Sequence, residues 1–154
     1  MAKRHLLRNV FLALVVLLVL AQFIRPDLSN PPAPDSNDMI HLVSPPPEVA
    51  SMLQRSCYDC HSHRTRWPWY AHVAPPSWLV THDVNEARHH MNFSLWGDYT
   101  QGAARHKLQE AQEQIHEGEM PLWYYLPLHP KARLSAAEKA AFQSWVDSLT
   151  ANKE

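Results

Sequence analysis

Residues 10–24 hold one polar side chain, Gln22, and follow closely on Lys3, Arg4 and Arg8. A surface helix of a soluble protein keeps charge along its outer stripe. A run without charge must be enclosed by protein or by lipid. Crossing a bilayer core takes about 20 mostly apolar residues, and counting from Leu6 to Ile24 supplies nineteen. The basic flank should stay in the cytoplasm, so everything beyond Arg25 is exported. Residues 1–25 thus read as a retained signal anchor with one transmembrane helix. Cleavage after Ala21, at Val19-Leu20-Ala21, is the competing reading, and a buried core helix is a third. The first two export the same domain.

Composition changes abruptly after the anchor. Seven of the thirteen prolines fall between 26 and 47. Proline fixes φ and removes the amide donor, so 26–47 is expected to be an extended linker standing off a folded part. Its one apolar patch, residues 39–43, should rest on the domain surface. The folded part, 48–150, repeats apolar residues at helical steps. Val49, Met52, Leu53, Ser56 and Cys60 form one stripe, Val80, Val84, Ala87 and Met91 another, and Ala104, Leu108, Ala111 and Ile115 a third. Ser77 is placed to cap the second helix. Ser135-Ala-Ala-Glu138 is a capping box opening a fourth, with Phe142, Trp145 and Leu149 on one face. Strand signals are nearly absent. The expected fold is all-α: about four helices with long aromatic and proline-rich connections, behind the N-terminal helix.

Charge and glycine content exclude two large classes. Beyond residue 25 there are ten Lys/Arg against fifteen Asp/Glu, a balance of −5, where a nucleic-acid binder needs a basic face. Three glycines leave no Gly-rich phosphate loop, and neither nucleotide-binding glycine motif occurs.

Both cysteines lie in Cys57-Tyr58-Asp59-Cys60-His61, at the end of the first domain helix. Two thiols three apart can add to the two vinyl groups of a haem, and the next residue brings an imidazole to the iron from the same turn. The cofactor expected is one covalent haem c. A thioredoxin-like pair would want a βαβ setting and a low-pKa first thiol. A zinc site would want a histidine pair at finger spacing, and a local disulfide is the plainest alternative.

The stretch Cys57-Tyr-Asp-Cys-His-Ser-His-Arg-Thr-Arg-Trp-Pro-Trp-Tyr70 resembles the bacterial haem-binding domain family. So do Val73-Ala-Pro-Pro-Ser-Trp-Leu-Val80, Gly118-Glu-Met-Pro121 and Leu128-His-Pro130. The resemblance covers about residues 44–149. Members are small, usually membrane-anchored proteins with one Cys-x-x-Cys-His. Met-Pro followed by a Leu-Ser-x-x-Glu helix is also similar to monohaem class I cytochromes c. The resemblance implies a compact helical haem domain, and the basic flank before the apolar run leads us to expect it in the periplasm, tethered by a single pass to the bacterial inner membrane.

His61 is the expected proximal ligand. Met120, in the Gly-to-Pro turn that carries the resemblance, is the first choice for the opposite face, and His129 is the runner-up. His63 is too close to the attachment turn to reach that face. Trp67, Trp69, Tyr70, Trp78, Trp96, Trp123, Tyr124 and Tyr125 could wall a flat apolar plate. Arg64 and Arg66 are candidates for its propionates. A carbonyl near Pro68, Pro75 or Pro76 could orient the outer nitrogen of His61. His82, Glu86 and His89 share a helix face that reads as a solvated polar surface, with a metal site as the sharper option.

The function expected is single-electron carriage rather than enzymatic turnover, with redox proteins of the periplasm or membrane as partners and no nucleic acid. A haem sensor or a peroxidase-like enzyme, each with an open or displaceable sixth position, is the alternative.

Overall fold

The computed structural model describes residues 2–151, which are all-α with no strand among them. The first helix, α1 (Ala2–Ala21), has its apolar side chains exposed along its length. Among the described residues it is the one helix long and apolar enough to cross a membrane, with mean hydropathy 1.9.

The stretch 26–47 forms neither helix nor strand through Pro34, but it does not stand free. The Asn30 side-chain amide donates to the Thr65 carbonyl at 2.8 Å and accepts from Arg88 at 2.8 Å. The carbonyls of Pro32 and Ala33 accept from His63 at 3.3 Å and Arg64 at 3.5 Å. Proline removes a donor but keeps its carbonyl, so a donor-poor segment can be strapped down by the domain's own side chains. The expected spacer is therefore a strap.

The apolar patch within it is also displaced from its expected place. Met39–Val43 forms a short helix, α2, capped by Asp38, whose carboxylate accepts from the Ile40 amide at 3.0 Å. Met39 is fully buried and belongs to the core instead of lying on the surface.

The remaining helices are α3 (Pro47–Ser56), α4 (Tyr58–His61), α5 (Pro76–His90), α6 (Gln101–Glu117) and α7 (Ala136–Ala151). Val49, Met52 and Leu53 of α3 meet Leu108 and Ile115 of α6 and Phe142 and Val146 of α7 in one core. Each such buried side chain contributes about 1.5–3 kcal/mol.

Helix ends follow side-chain chemistry, with one exception. Thr100 caps α6 by accepting from the Ala103 amide at 3.3 Å, and Gly118 ends it in the left-handed region at φ 83°. At α7 the Glu138 carboxylate accepts from the Ser135 amide at 2.8 Å, while Ser135 Oγ accepts from the Glu138 amide at 3.2 Å. Ser77 does not cap α5. Pro75 holds that position, and the Ser77 amide donates one turn back to the Val73 carbonyl at 2.9 Å.

Candidate functional site

The helix α3 stops at Ser56, and the chain turns once more over α4. The Cys57 carbonyl accepts from the amides of Cys60 at 3.2 Å and His61 at 2.9 Å, so one hydrogen-bonded turn sets the spacing of both sulfurs and the imidazole. The two residues between the cysteines fasten that turn to the rest of the domain. Tyr58 is buried, stacks on Phe93 with ring centroids 4.8 Å apart, and donates to Asp38 at 2.8 Å. Asp59 accepts from the Arg66 amide at 3.2 Å and from both ends of its guanidinium at 3.0 and 3.1 Å. Bidentate pairing of this kind fixes orientation as well as charge.

Cys57, Cys60 and His61 all line a cavity of about 930 Å³. Its other walls come from α5, α6 and the segment after Gly118: Leu79, Val80, Val84, Leu108, Ala111, Ile115, Leu122, Leu128 and Leu134 among the aliphatic groups. Trp69, Tyr70, Phe93, Tyr124 and Tyr125 supply the aromatic ones.

Burial pushes the Cys57 and Cys60 thiols up to about 12. Both are neutral S–H groups at ordinary pH, the reverse of the low-pKa thiolate on which disulfide exchange depends. Burial moves His61 in the direction that keeps it neutral, below its ordinary value. Its ring contacts the Met91 carbonyl through Nδ1 at 3.1 Å. A carbonyl only accepts, so Nδ1 carries the proton and the lone pair sits on Nε2. That is the tautomer a metal-binding imidazole needs, held by the outer-nitrogen bond that such histidines make. The carbonyl that does this is Met91's, at the end of α5, and not one near Pro68, Pro75 or Pro76.

Met120 lies in the same cavity, half-buried against the core. The Gln114 carbonyl accepts from the amides of both Glu119 at 3.0 Å and Met120 at 3.2 Å, which closes the chain tightly around the Gly118 turn. His129 lines the cavity too, but its Nε2 is hydrogen-bonded to the Tyr70 hydroxyl at 2.6 Å. Its ring stacks on Tyr125, 3.9 Å away and 7° from parallel.

Other expected participants are elsewhere. Arg64 is outside the cavity and pairs with Asp35. Arg66 is at the wall with its guanidinium held by Asp59. His63 is bonded to Asn92 at 2.8 Å. Trp96 is in the core, while Trp67, Trp78 and Trp123 do not line the cavity. Among the described residues no group of three or more His, Cys, Asp or Glu side chains could hold a metal ion, the His82, Glu86 and His89 face included. Two contacts had no signal in the sequence. Met91 acts through its backbone, and the Tyr70–His129 bond joins residues 59 apart.

The donor set suits a covalently held haem: two neutral thiols on one turn, an imidazole presenting Nε2, a thioether, and apolar and aromatic walls. The Ser56 hydroxyl is buried in that wall with no partner of its own. A family model described as a haem-binding domain matches residues 16–148. No curated protein and no solved structure matches the chain.

Proposed function

This chain belongs to the haem-binding domain family, and from that premise we propose that it is an exported, membrane-tethered carrier of single electrons with one haem c. The observation that carries the reading is the meeting of Cys57, Cys60, His61 and Met120 in one largely apolar cavity. When bound there, a haem supplies one-electron exchange at its iron.

The protein's own contributions follow from the geometry. Cys57 and Cys60 give the sulfurs for two thioether bonds. His61 would hold the iron through Nε2, with its ring oriented by the Met91 carbonyl. Met120 offers a soft, neutral sulfur from the loop after α6, and Met/His ligation favours the reduced state. The Leu, Val and aromatic walls exclude water and lower the dielectric around the iron. His129 already uses Nε2 toward Tyr70, which supports Met120 over His129 as the distal donor. The apolar helix α1 supports tethering to the inner membrane with the domain in the periplasm, and redox proteins there are the expected partners.

The same Tyr70–His129 pair favours a second reading. A polar, proton-exchanging pair in the cavity is what a peroxidase-like site or gas sensor would use if the sixth position were open.

Expression with the c-type maturation machinery tests the main reading. The exported protein should stay red after acid-acetone extraction and show a reduced c-type spectrum. Haem that extracts freely, or colourless protein, overturns it. Carbon monoxide binding to the native ferrous protein would replace the electron-carrier reading with the second.

A further inference from the structure

Residues 67–81 contain no Asp, Glu, Lys or Arg. Within them Val73 is 42% exposed and Trp78 39%, both outside the cavity, while Trp69 and Leu79 belong to its wall. Single exposed apolar residues are ordinary on protein surfaces, but a contiguous uncharged edge marks a contact. The structure also shows what lies beside this edge. Gln22, one residue past α1, makes two reciprocal bonds to Ala74. Its side-chain amide donates to the Ala74 carbonyl at 3.1 Å, and its carbonyl oxygen accepts from the Ala74 amide at 2.9 Å. The Trp78 indole donates to the Ile24 carbonyl at 2.9 Å. The edge is thus fastened to the point where the apolar helix stops. Phe23 and Ile24, 81% and 65% exposed, continue the apolar surface across the junction.

We propose that Val73 and Trp78 lie in the headgroup region of the bilayer that holds α1. The inference rests on the membrane-anchor reading above. Tryptophan is enriched at that depth because its ring is apolar and its N–H is polar. An edge without Asp, Glu, Lys or Arg, whose one basic side chain is the exposed His72, enters the interface with few ions to neutralise or strip of hydration. The clamp supplies the position. With Ala74 bonded to Gln22, no length of chain remains by which this edge could move away from the helix end.

The full haem-loaded chain in phosphatidylcholine nanodiscs tests this, with a small fraction of lipid carrying a diazirine on the acyl chain near the glycerol. After illumination, peptides are mapped by mass spectrometry. The expected result is label on α1 and on residues 73–78 together. A Val73→Ser/Trp78→Ser variant should lose at least threefold of the label at 73–78 while α1 stays labelled, with the haem spectrum reporting an intact pocket. Label on α1 with none above background at 73–78 overturns the proposal and leaves the anchor standing. Absence of label on α1 itself overturns the anchor reading, and the proposal falls with it.

Discussion

His61 donates its Nδ1 proton to the Met91 main-chain carbonyl at 3.1 Å, so the last carbonyl of the α5 end selects the nitrogen His61 turns toward the cavity. A backbone acceptor cannot be lost by substitution of its own side chain, which makes His61 itself the point of attack. His61→Ala should abolish the reduced c-type spectrum and sharply lower the yield of attached haem. Retention of the native spectrum would remove His61 from the iron.

The acid behaviour of His61 has a definite sign. Burial holds its folded pKa below the ordinary 6.5. As pH falls, the unfolded chain takes up that proton first, so stability is complete above pH 6.5 and declines below it. Thermal melting at pH 7.5 should therefore lie above that at pH 5.5.

Met120 and His129 separate by spectroscopy. The oxidised protein should show the weak far-red band of a sulfur–iron bond. Met120→Ala should abolish that band and open the iron to carbon monoxide, while His129→Ala should leave both properties unchanged. A native protein without the band, opened instead by His129→Ala, would put His129 on the iron.

The cavity sets a condition on folding. Without a bound group, the apolar walls of a cavity of about 930 Å³ face water and lose the burial that the group would give them. Net domain stability is only about 5–15 kcal/mol. The Cys57→Ser/Cys60→Ser protein, freed of haem, should lose cooperative thermal unfolding by circular dichroism. A sharp transition near the native temperature would show that the cavity closes on itself.

Glu138 gives a second pH dependence of opposite chemical origin. Its carboxylate accepts from Ser135 and pairs with Arg55 at 2.7 Å, which holds its pKa at about 2, below the ordinary 4.5. Here the stabilisation is present above pH 4.5 and is lost as pH falls toward 2. Ser135→Ala should cost about 1 kcal/mol in urea denaturation at pH 7. Glu138→Gln should flatten the pH dependence of stability in that acid window.

Much of the architecture was legible because it is local. The stripes of α3, α5 and α6 and the Ser135–Glu138 box each lie within a few turns of chain, where spacing alone carries the information. The turn bearing Cys57, Cys60 and His61 is local in the same way. What escaped depends on long-range pairing. Proline content suggested an extended spacer over 26–47, yet nothing in that segment announces that Arg64, His63 and Arg88 will bind its carbonyls and Asn30. Met39 looked like an isolated apolar patch because the core it enters is built from residues 49 to 146. Met91 had no signal because its contribution is a carbonyl.

The bonds between Gln22 and Ala74 change how the domain can search for partners. A flexible tether of 22 residues, the length of 26–47, would let a domain wander about 25 Å from its root and present itself at any angle. Here two bonds fasten the end of α1 directly to the domain at Ala74. On the anchored electron-carrier reading proposed above, a partner would have to arrive at one height and one bearing, and the rate of encounter would depend on how fast the stalk spins about its own axis.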